Sequence, residues 1–404
     1  MAERVVIVGA GQAGGSAAGF LRQFGFEGAI TLIGEEEAAP YQRPPLSKAW
    51  LKGEATEDDL LLRPESFYSE HHVELALGVE VHSIDRAART LATSRGPIPY
   101  DILILATGAR ARPLPIPGSD LAGVLMLRTA HDAEALKAEL RPGRRLAVIG
   151  GGYIGLEVAA SARALGDEVT VIEREDRVMA RVACEPLSDF FLAYHLAHGV
   201  RFELGAAVAS LEGTGRVQAV RLGDGRTVAC DVALIGIGAV PNDDLARAAG
   251  LECKDGVVVD LEARTSDPAI FAAGDVTWRP LPLYGRDFRL ESVPNAIEQA
   301  KQAASAIVGR PRPAPEAPWF WSDQYDLKLQ IAGLAFDADR ILLRGDPASA
   351  KFAVFHLKGD EVQAVEAVNA PPEFMMGKSL IASRKAVSAE RLADPSISMK
   401  EVAV

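Results

Sequence analysis

The sequence predicts an α/β chain built from two similar βαβ halves, followed by a separate C-terminal α+β segment. Three observations carry that expectation. A glycine-rich turn, Gly9-Ala10-Gly11-Gln12-Ala13-Gly14, follows an apolar run at 5–8, and a second, Gly150-Gly151-Gly152-Tyr153-Ile154-Gly155, follows an apolar run at 146–149. Strand and helix patterns alternate from residue 4 to about 172, the mark of a parallel sheet. A proline-dense stretch at 310–318 then separates these halves from a run of alternating strand patterns.

Each glycine turn has the context that gives the pattern meaning. A strand precedes it, a helix pattern follows, and an acidic residue stands about 20 positions on. In the first copy the next strand covers 29–33 and Glu35 follows; in the second it covers 169–172 and Glu173 ends it. The first glycine allows a tight turn, the second lets backbone N–H groups approach a pyrophosphate, and the third lets helix and strand pack closely. The expected architecture is therefore two Rossmann-like dinucleotide-binding domains plus the C-terminal α+β domain. Two such sites in one chain imply that one dinucleotide hands electrons to another. Glu173 would accept hydrogen bonds from a ribose 2′-OH and repel a 2′-phosphate, which favours NAD, while the adjacent Arg174 could accommodate that phosphate.

The elements follow in order. A strand pattern at 100–106 ends in Thr107-Gly108-Ala109, and its counterpart at 230–236 ends in Ile237-Gly238-Ala239. Each half thus carries a β-rich insertion before its last strand, as expected of an internal duplication. A short strand at 257–259 and the run 270–275 come next, and 295–308 returns as a helix. Beyond the prolines, strands are expected at 327–331, 341–343, 351–357 and 361–368, then a helix bearing Met375, Met376, Leu380 and Ile381.

Composition bounds the function. The 404 residues suit two or three domains, and 48% hydrophobic with 24% charged residues is an ordinary globular balance. A formal net charge of −12 argues against nucleic acid as a partner. No apolar stretch is long enough to span a bilayer, and the N-terminus lacks the pattern of a secretory signal, so no membrane insertion and a cytoplasmic location are expected. Cys184, Cys230 and Cys253 form no close pair, so no metal centre or sequence-adjacent redox disulfide is expected. No heptad or interface stripe is visible, which leaves the oligomeric state open.

Together with further motifs, the turns resemble the pyridine-nucleotide disulfide reductase superfamily, and within it the FAD-dependent NADH:ferredoxin reductases of P450 and Rieske-type oxygenase systems, the putidaredoxin-reductase-like group. The motifs are Tyr-Gln-Arg-Pro-Pro-Leu-Ser-Lys at 41–48, Ala-Thr-Gly at 106–108, Phe-Ala-Ala-Gly-Asp at 271–275, Glu-Ser-Val-Pro-Asn at 291–295 and Trp-Phe-Trp-Ser-Asp-Gln at 319–324. The first and last of these motifs carry the most weight: the stretches at 43–48 and 320–324 are the most diagnostic. The resemblance implies an FAD domain at 1–115 and 243–318, an NAD domain at 116–242 and a C-terminal reductase domain at 319–404. It implies that Gly9, Gly11, Ala13 and Gly14 hold the FAD pyrophosphate and that Glu35, or alternatively Glu36, meets the adenosine ribose. Arg43 and Lys48 would reach phosphates and flavin ring, and Val81 the adenine. Ala106, Thr107, Gly108 and Arg128 would line the same cofactor, with Asp275 on the ribityl hydroxyls and Val293 at the isoalloxazine edge. Gly152, Ile154, Gly155, Glu173 and Gly238 match NADH-binding positions, and Glu157 and Glu291 would meet the nicotinamide carboxamide. Lys48, Glu157, Glu291 and Trp321 are the expected catalytic set, Trp321 shielding the flavin from water.

Disulfide-reducing relatives carry a cysteine pair after the first βαβ region, and oxidase or coenzyme A-disulfide relatives a single one. This chain has no cysteine before Cys184, so electrons are expected to leave the flavin for a soluble [2Fe–2S] ferredoxin without a thiol relay. Arg310, Arg312, Lys328, Arg340 and Arg344 are candidates for a basic docking patch. The competing readings are a rubredoxin reductase, an oxidoreductase like apoptosis-inducing factor, and a non-catalytic FAD/NADH redox sensor.

Overall fold

Valine, isoleucine and leucine dominate both central strands of this computed structural model, which describes residues 4–403. One unit takes in Met1–Gln42, Glu57–Arg110 and Val240–Pro318; the other takes in Arg43–Thr56, Ala111–Ala239 and Trp319–Val404.

In the first unit the strand Arg4–Val8 is buried at every position after Arg4. Such a continuous apolar run fits a parallel sheet covered on both faces. It is central in a five-stranded sheet, ordered Ile270–Ala272, Ile102–Leu105, Arg4–Val8, Ala29–Gly34 and Val73–Leu77, with every neighbouring pair parallel. The helices Gln12–Gln23 and Val293–Ile307 cover one face. They meet through small side chains, Ala17 and Ala18 on the first and Ala300, Ala303 and Ala304 on the second, all fully buried. An antiparallel insertion, Val81–Asp85, Thr90–Thr93 and Gly96–Pro99, precedes the strand Ile102–Leu105.

The second unit repeats the plan. Its parallel sheet runs Arg201–Glu203, Glu168–Ile172, Arg145–Ile149, Val232–Ile235 and Val124–Met126. Again a three-stranded antiparallel insertion, Val208–Gly213, Val217–Leu222 and Thr227–Ala229, comes before the closing strand. The edge strand differs between the copies: Ile270–Ala272 lies after its half in sequence, whereas Val124–Met126 lies before its own.

The last part of the second unit is an antiparallel sheet ordered Trp319–Gln324, Leu327–Gly333, Glu361–Val368, Lys351–Lys358 and Arg340–Asp346, with the helix Pro371–Ser383 beyond it. The strand Trp319–Gln324 is an addition to the four strands the pattern predicts. Side chains alternate across a strand, and here the alternation decides the packing. Trp319 faces Phe374 of the helix, while Phe320, Ser322 and Gln324 face the opposite way and meet Tyr153, Glu157 and His195. Residues 310–318 carry neither helix nor strand, as the prolines require.

One expected surface residue is not at the surface. Arg344 is 4% exposed; it pairs with Glu373 and donates to the carbonyls of Leu392, Asp394 and Ile397. Its guanidinium supplies the donors that close the C-terminal segment onto the sheet, so Arg344 leaves the candidate docking patch. Arg312, Lys328 and Arg340 are exposed, and Arg310 is exposed with its guanidinium over the Phe24 ring.

His195, on the helix Glu185–Ala197, is fully buried, its Nε2 2.8 Å from Gln324 Oε1. Burial holds its pKa down at about 4. The folded chain therefore keeps a neutral imidazole where the unfolded chain takes up a proton below about 6.5. Stability is complete above that pH and is lost as pH falls from about 6.5 towards 4, by roughly 3 kcal/mol in all. Chemical denaturation across this window should show a steep acid limb in the wild type and a flatter one in His195→Gln; parallel limbs would remove His195 as its source.

Candidate active site

Both glycine turns are built by contact. Gly9 and Gly150 have φ of +114° and +110°, and a Cβ on either would fall 2.1 Å from the Ala106 carbonyl oxygen or 2.4 Å from that of Gly236. A Cβ on Gly14 or Gly155 would strike the carbonyl oxygen of Gly9 or Gly150, at 1.9 and 2.1 Å. The middle glycines differ. Gly11 and Gly152 cap the helices Gln12–Gln23 and Tyr153–Ala164, and nothing lies within 4 Å of where their Cβ atoms would stand. Neither helix has an acidic residue in its first turn. Each turn thus presents open space before N–H groups at the positive end of a helix, which suits a pyrophosphate. Ala13 packs under the first turn, buried, and Ile154 stands 48% exposed beside the second.

The strand ends that follow are not alike. Val8 pairs with Ile33, and Ile149 pairs with Ile172, so Gly34 rather than Glu35 is the register partner of Glu173. Glu173 accepts from Gly151 N at 2.6 Å and from Glu175 N at 2.9 Å, fixing its carboxylate beside the turn. Arg174 is exposed and turned to Glu175 at 2.8 Å. A Cβ on Gly34 would meet Ala10 at 2.8 Å, so the first copy has no room for a side chain there. Glu35 is exposed, and Glu36 accepts from the Tyr41 hydroxyl at 2.7 Å.

Other expected residues of the first unit lie at element ends. Ala106, Thr107 and Gly108 leave the strand Ile102–Leu105 and are tied by Asn242: Thr107 Oγ1 donates to its carbonyl at 2.7 Å, and its Nδ2 donates to the Thr107 carbonyl at 2.9 Å. Asp275 follows Gly274, whose N–H donates to Gln299 Oε1 at 2.9 Å. Val81 opens a strand, and Val293 opens the helix capped by Ser292. Glu291 is exposed and ion-paired with Arg289. Asn242 and Gln299 carry no motif of their own, and their role is visible only once the chain is folded.

In the second unit one carboxylate gathers three segments. Glu157 is 5% exposed on the helix Tyr153–Ala164. Its Oε2 takes Lys48 Nζ at 2.6 Å and Ser47 Oγ at 2.5 Å, and its Oε1 takes Ser322 Oγ at 2.6 Å. Lys48 Nζ also donates to the Pro44 carbonyl at 3.1 Å, and Ser161 Oγ to the Ser47 carbonyl at 2.8 Å. A buried ion pair offsets its desolvation only when its remaining lone pairs and protons are satisfied, as they are here. Arg43 Nη1 donates to the Arg128 carbonyl at 2.5 Å, fixing the start of the same loop. Trp321 is half-buried, 5.7 Å from the Trp319 ring, on the strand face opposite Ser322. Gly238 has φ of +107° beyond the closing strand. Ser47, Ser161 and Ser322 are missed by sequence reasoning; only the position of Ser47 and Ser322 inside the two most diagnostic motifs could have signalled them.

The thiols stand apart from this chemistry. Burial and the Glu366 carboxylate push the Cys184 thiol up, burial pushes Cys230 up to about 12, and no cysteine is disulfide-bonded.

Residues 3–300 match the pyridine nucleotide-disulphide oxidoreductase family, and residues 319–403 match the reductase C-terminal family. The chain belongs to the pyridine nucleotide-disulphide oxidoreductase family. Within that family it is 53% identical over 405 residues to a probable ferredoxin reductase, CtmF, of Castellaniella defragrans, covering 100% of this chain and 99% of that one. Putidaredoxin reductase CamA of Pseudomonas putida is 42% identical, with 99% and 96% covered. The solved covalent putidaredoxin reductase–putidaredoxin complex superposes with a TM-score of 0.97 at 42% identity, covering 99% of this chain and 98% of that one. The chain is an oxidoreductase of the flavoprotein type, using FAD and NAD(P)H. Among the described residues no helix is long and apolar enough to cross a membrane.

Lys48→Met leaves the Glu157 carboxylate buried without its cation, an expected loss on the order of 3 kcal/mol. Ser322→Ala removes one neutral donor and should cost about 1–2 kcal/mol. Urea midpoints of the two variants check the order; equal losses would mean that the charge of Lys48 adds nothing to the cluster.

Proposed function

We propose that this chain carries electrons from NADH through FAD to a [2Fe–2S] ferredoxin, which serves a cytochrome P450 or a Rieske-type oxygenase in the cytoplasm. The observation that carries this reading is the loop at 43–48. It presents Ser47 and Lys48 to a buried glutamate, in a chain with no cysteine before Cys184. Cys184 and Cys230 are buried, Cys253 is half-buried and none of the three is disulfide-bonded, so a dithiol relay has no residues to run on. A protein acceptor taking electrons directly from the cofactor is the reading left, and the similarity to putidaredoxin reductase supports it.

FAD is assigned to 1–115 and 243–318 and NADH to 116–242, with 319–404 as the reductase C-terminal domain. When bound, FAD accepts an electron pair from nicotinamide and releases electrons singly, which suits an iron–sulfur acceptor. Gly11 and Gly152 leave space for the two pyrophosphates. Asp275 and Val293 are assigned to FAD, and Glu291 to the nicotinamide carboxamide. Lys48, held in one orientation by Glu157, is assigned the stabilisation of negative charge on the reduced cofactor. Trp321 is assigned the exclusion of water.

The preference for NADH rests on Glu173. Its carboxylate is locked by two backbone N–H groups, so it cannot swing away from a 2′-phosphate, and Arg174 is turned to Glu175. Replacing Glu173 with alanine should raise kcat/KM for NADPH relative to NADH by at least about tenfold. An unchanged ratio in steady-state assays would move the discrimination elsewhere.

Stopped-flow mixing of NADH-reduced protein with a panel of [2Fe–2S] ferredoxins tests the function. At least one should be reduced within milliseconds to seconds, and cytochrome c reduction should depend on its presence. Reduction of rubredoxin alone would select the rubredoxin reductase reading, which a relative named rubredoxin-NAD(+) reductase, 42% identical, keeps in view. Flavin bleaching with no protein acceptor reduced would leave a sensor.

A further inference from the structure

Away from the nucleotide turns, the second unit buries three side chains of the kinds that bind transition metals. Cys184 caps the helix Glu185–Ala197, and His356 and Glu366 lie on the adjacent strands Lys351–Lys358 and Glu361–Val368. Glu366 pairs with Val354, so His356, two residues further on, shares its sheet face as a diagonal neighbour. That is the face that also carries Ser322 and Gln324. All three residues are at least nine-tenths buried, with exposures of 8%, 5% and 4%.

The contacts among them leave one donor-acceptor atom idle. Cys184 Sγ lies 2.7 Å from Glu366 Oε2, and Cys184 N donates to both carboxylate oxygens at 3.1 and 3.3 Å. His356 Nε2 lies 3.5 Å from Glu366 Oε1 yet has no hydrogen-bond partner, although it is buried. A buried imidazole nitrogen left unpaired costs about 1–3 kcal/mol unless something occupies its lone pair.

We propose that Cys184 Sγ, His356 Nε2 and the Glu366 carboxylate form a binding site for a zinc ion. The ligand atoms of the three residues lie within 4.8 Å of one another. A tetrahedral zinc with sulfur at about 2.3 Å and nitrogen or oxygen at about 2.0–2.1 Å would hold its ligand atoms about 3.3–3.6 Å apart. The imidazole–carboxylate separation of 3.5 Å already matches, and the sulfur–oxygen pair at 2.7 Å must open. Charge also balances. A thiolate and a carboxylate are together neutralised by a divalent cation, and coordination removes the thiol proton that burial otherwise retains. One thiolate, one imidazole and one carboxylate form a donor set that zinc accepts, while magnesium and calcium prefer oxygen alone. The fourth position is open to water or to the second carboxylate oxygen. The ion would clamp the start of the helix Glu185–Ala197 to the C-terminal sheet.

The test uses the whole flavin-loaded protein, produced with zinc in the medium and desalted. Metal analysis should give about one zinc per flavin, and absorption at the zinc edge should show one sulfur among nitrogen and oxygen neighbours. Cys184→Ser and Glu366→Gln should lower zinc content at least about tenfold while keeping flavin. If either variant fails to fold, zinc titration of wild-type protein against a chromophoric chelator decides instead. Uptake with a rise in Tm supports the site. Wild-type protein with no zinc, no uptake and an unmoved Tm overturns it, as does zinc that is retained in both variants or that lacks a sulfur neighbour.

Discussion

The second unit depends on one buried carboxylate. Glu157 sits two residues beyond Gly155, on the helix that the second glycine turn begins, and its oxygens collect Lys48, Ser47 and Ser322 from sequence-remote segments. Desolvating a carboxylate and an ammonium costs several kcal/mol for each ion, so the pair is a poor source of net stability. What it supplies is uniqueness. Only one placement of the 43–48 loop and one register of the strand Trp319–Gln324 satisfies both oxygens at once. The orientation of Lys48 is thereby set by the same helix that presents the nucleotide turn, and the charge assigned to the reduced cofactor cannot wander on a flexible stem.

The two nucleotide halves show how one backbone plan is adjusted by single residues. Both turns force glycine at the first and third positions through carbonyl contacts, and both leave the middle position open. They diverge at the end of the next strand. There Glu173 binds the backbone of its own turn, whereas Gly34 occupies the matching register position because Ala10 leaves no room. In the first copy the acidic side chains are displaced outward to 35 and 36, and Glu36 is engaged by Tyr41. The second copy therefore holds an acidic side chain inside the turn, and the first has none at that place.

Periodicity and glycine spacing made the two parallel sheets, their antiparallel insertions and the C-terminal sheet legible, because those signals are local. Glu157 stands out in the sequence through its distance from Gly155, and in the folded chain it is buried. Its partners were not: Ser322 becomes a donor to it only through the alternation of a strand that begins at Trp319. That strand was hidden by its aromatic residues, which read equally well as core or as a cofactor shield. Arg344 failed for a related reason. A charged residue in an alternating run reads as surface, yet here the carbonyls of Leu392, Asp394 and Ile397 needed a buried donor. The grouping of Cys184, His356 and Glu366 had no local signal, since a helix start and two strands meet there only in the folded chain.

The alternation of Trp319–Gln324 explains why the C-terminal sheet is polar where another sheet would be greasy. Phe320 meets Tyr153 edge-on, but Ser322 and Gln324 bring hydroxyl and amide groups to a buried face. Buried polar groups are tolerated only when paired, and their partners Glu157 and His195 lie on two different helices. A one-residue slip would turn Trp319, Trp321 and Asp323 onto those helices and leave Glu157 Oε1 and His195 Nε2 without their present partners. The polar face exchanges some stability for a single docking of this sheet on the helices beneath it, and that docking sets the strand on which Trp321 stands.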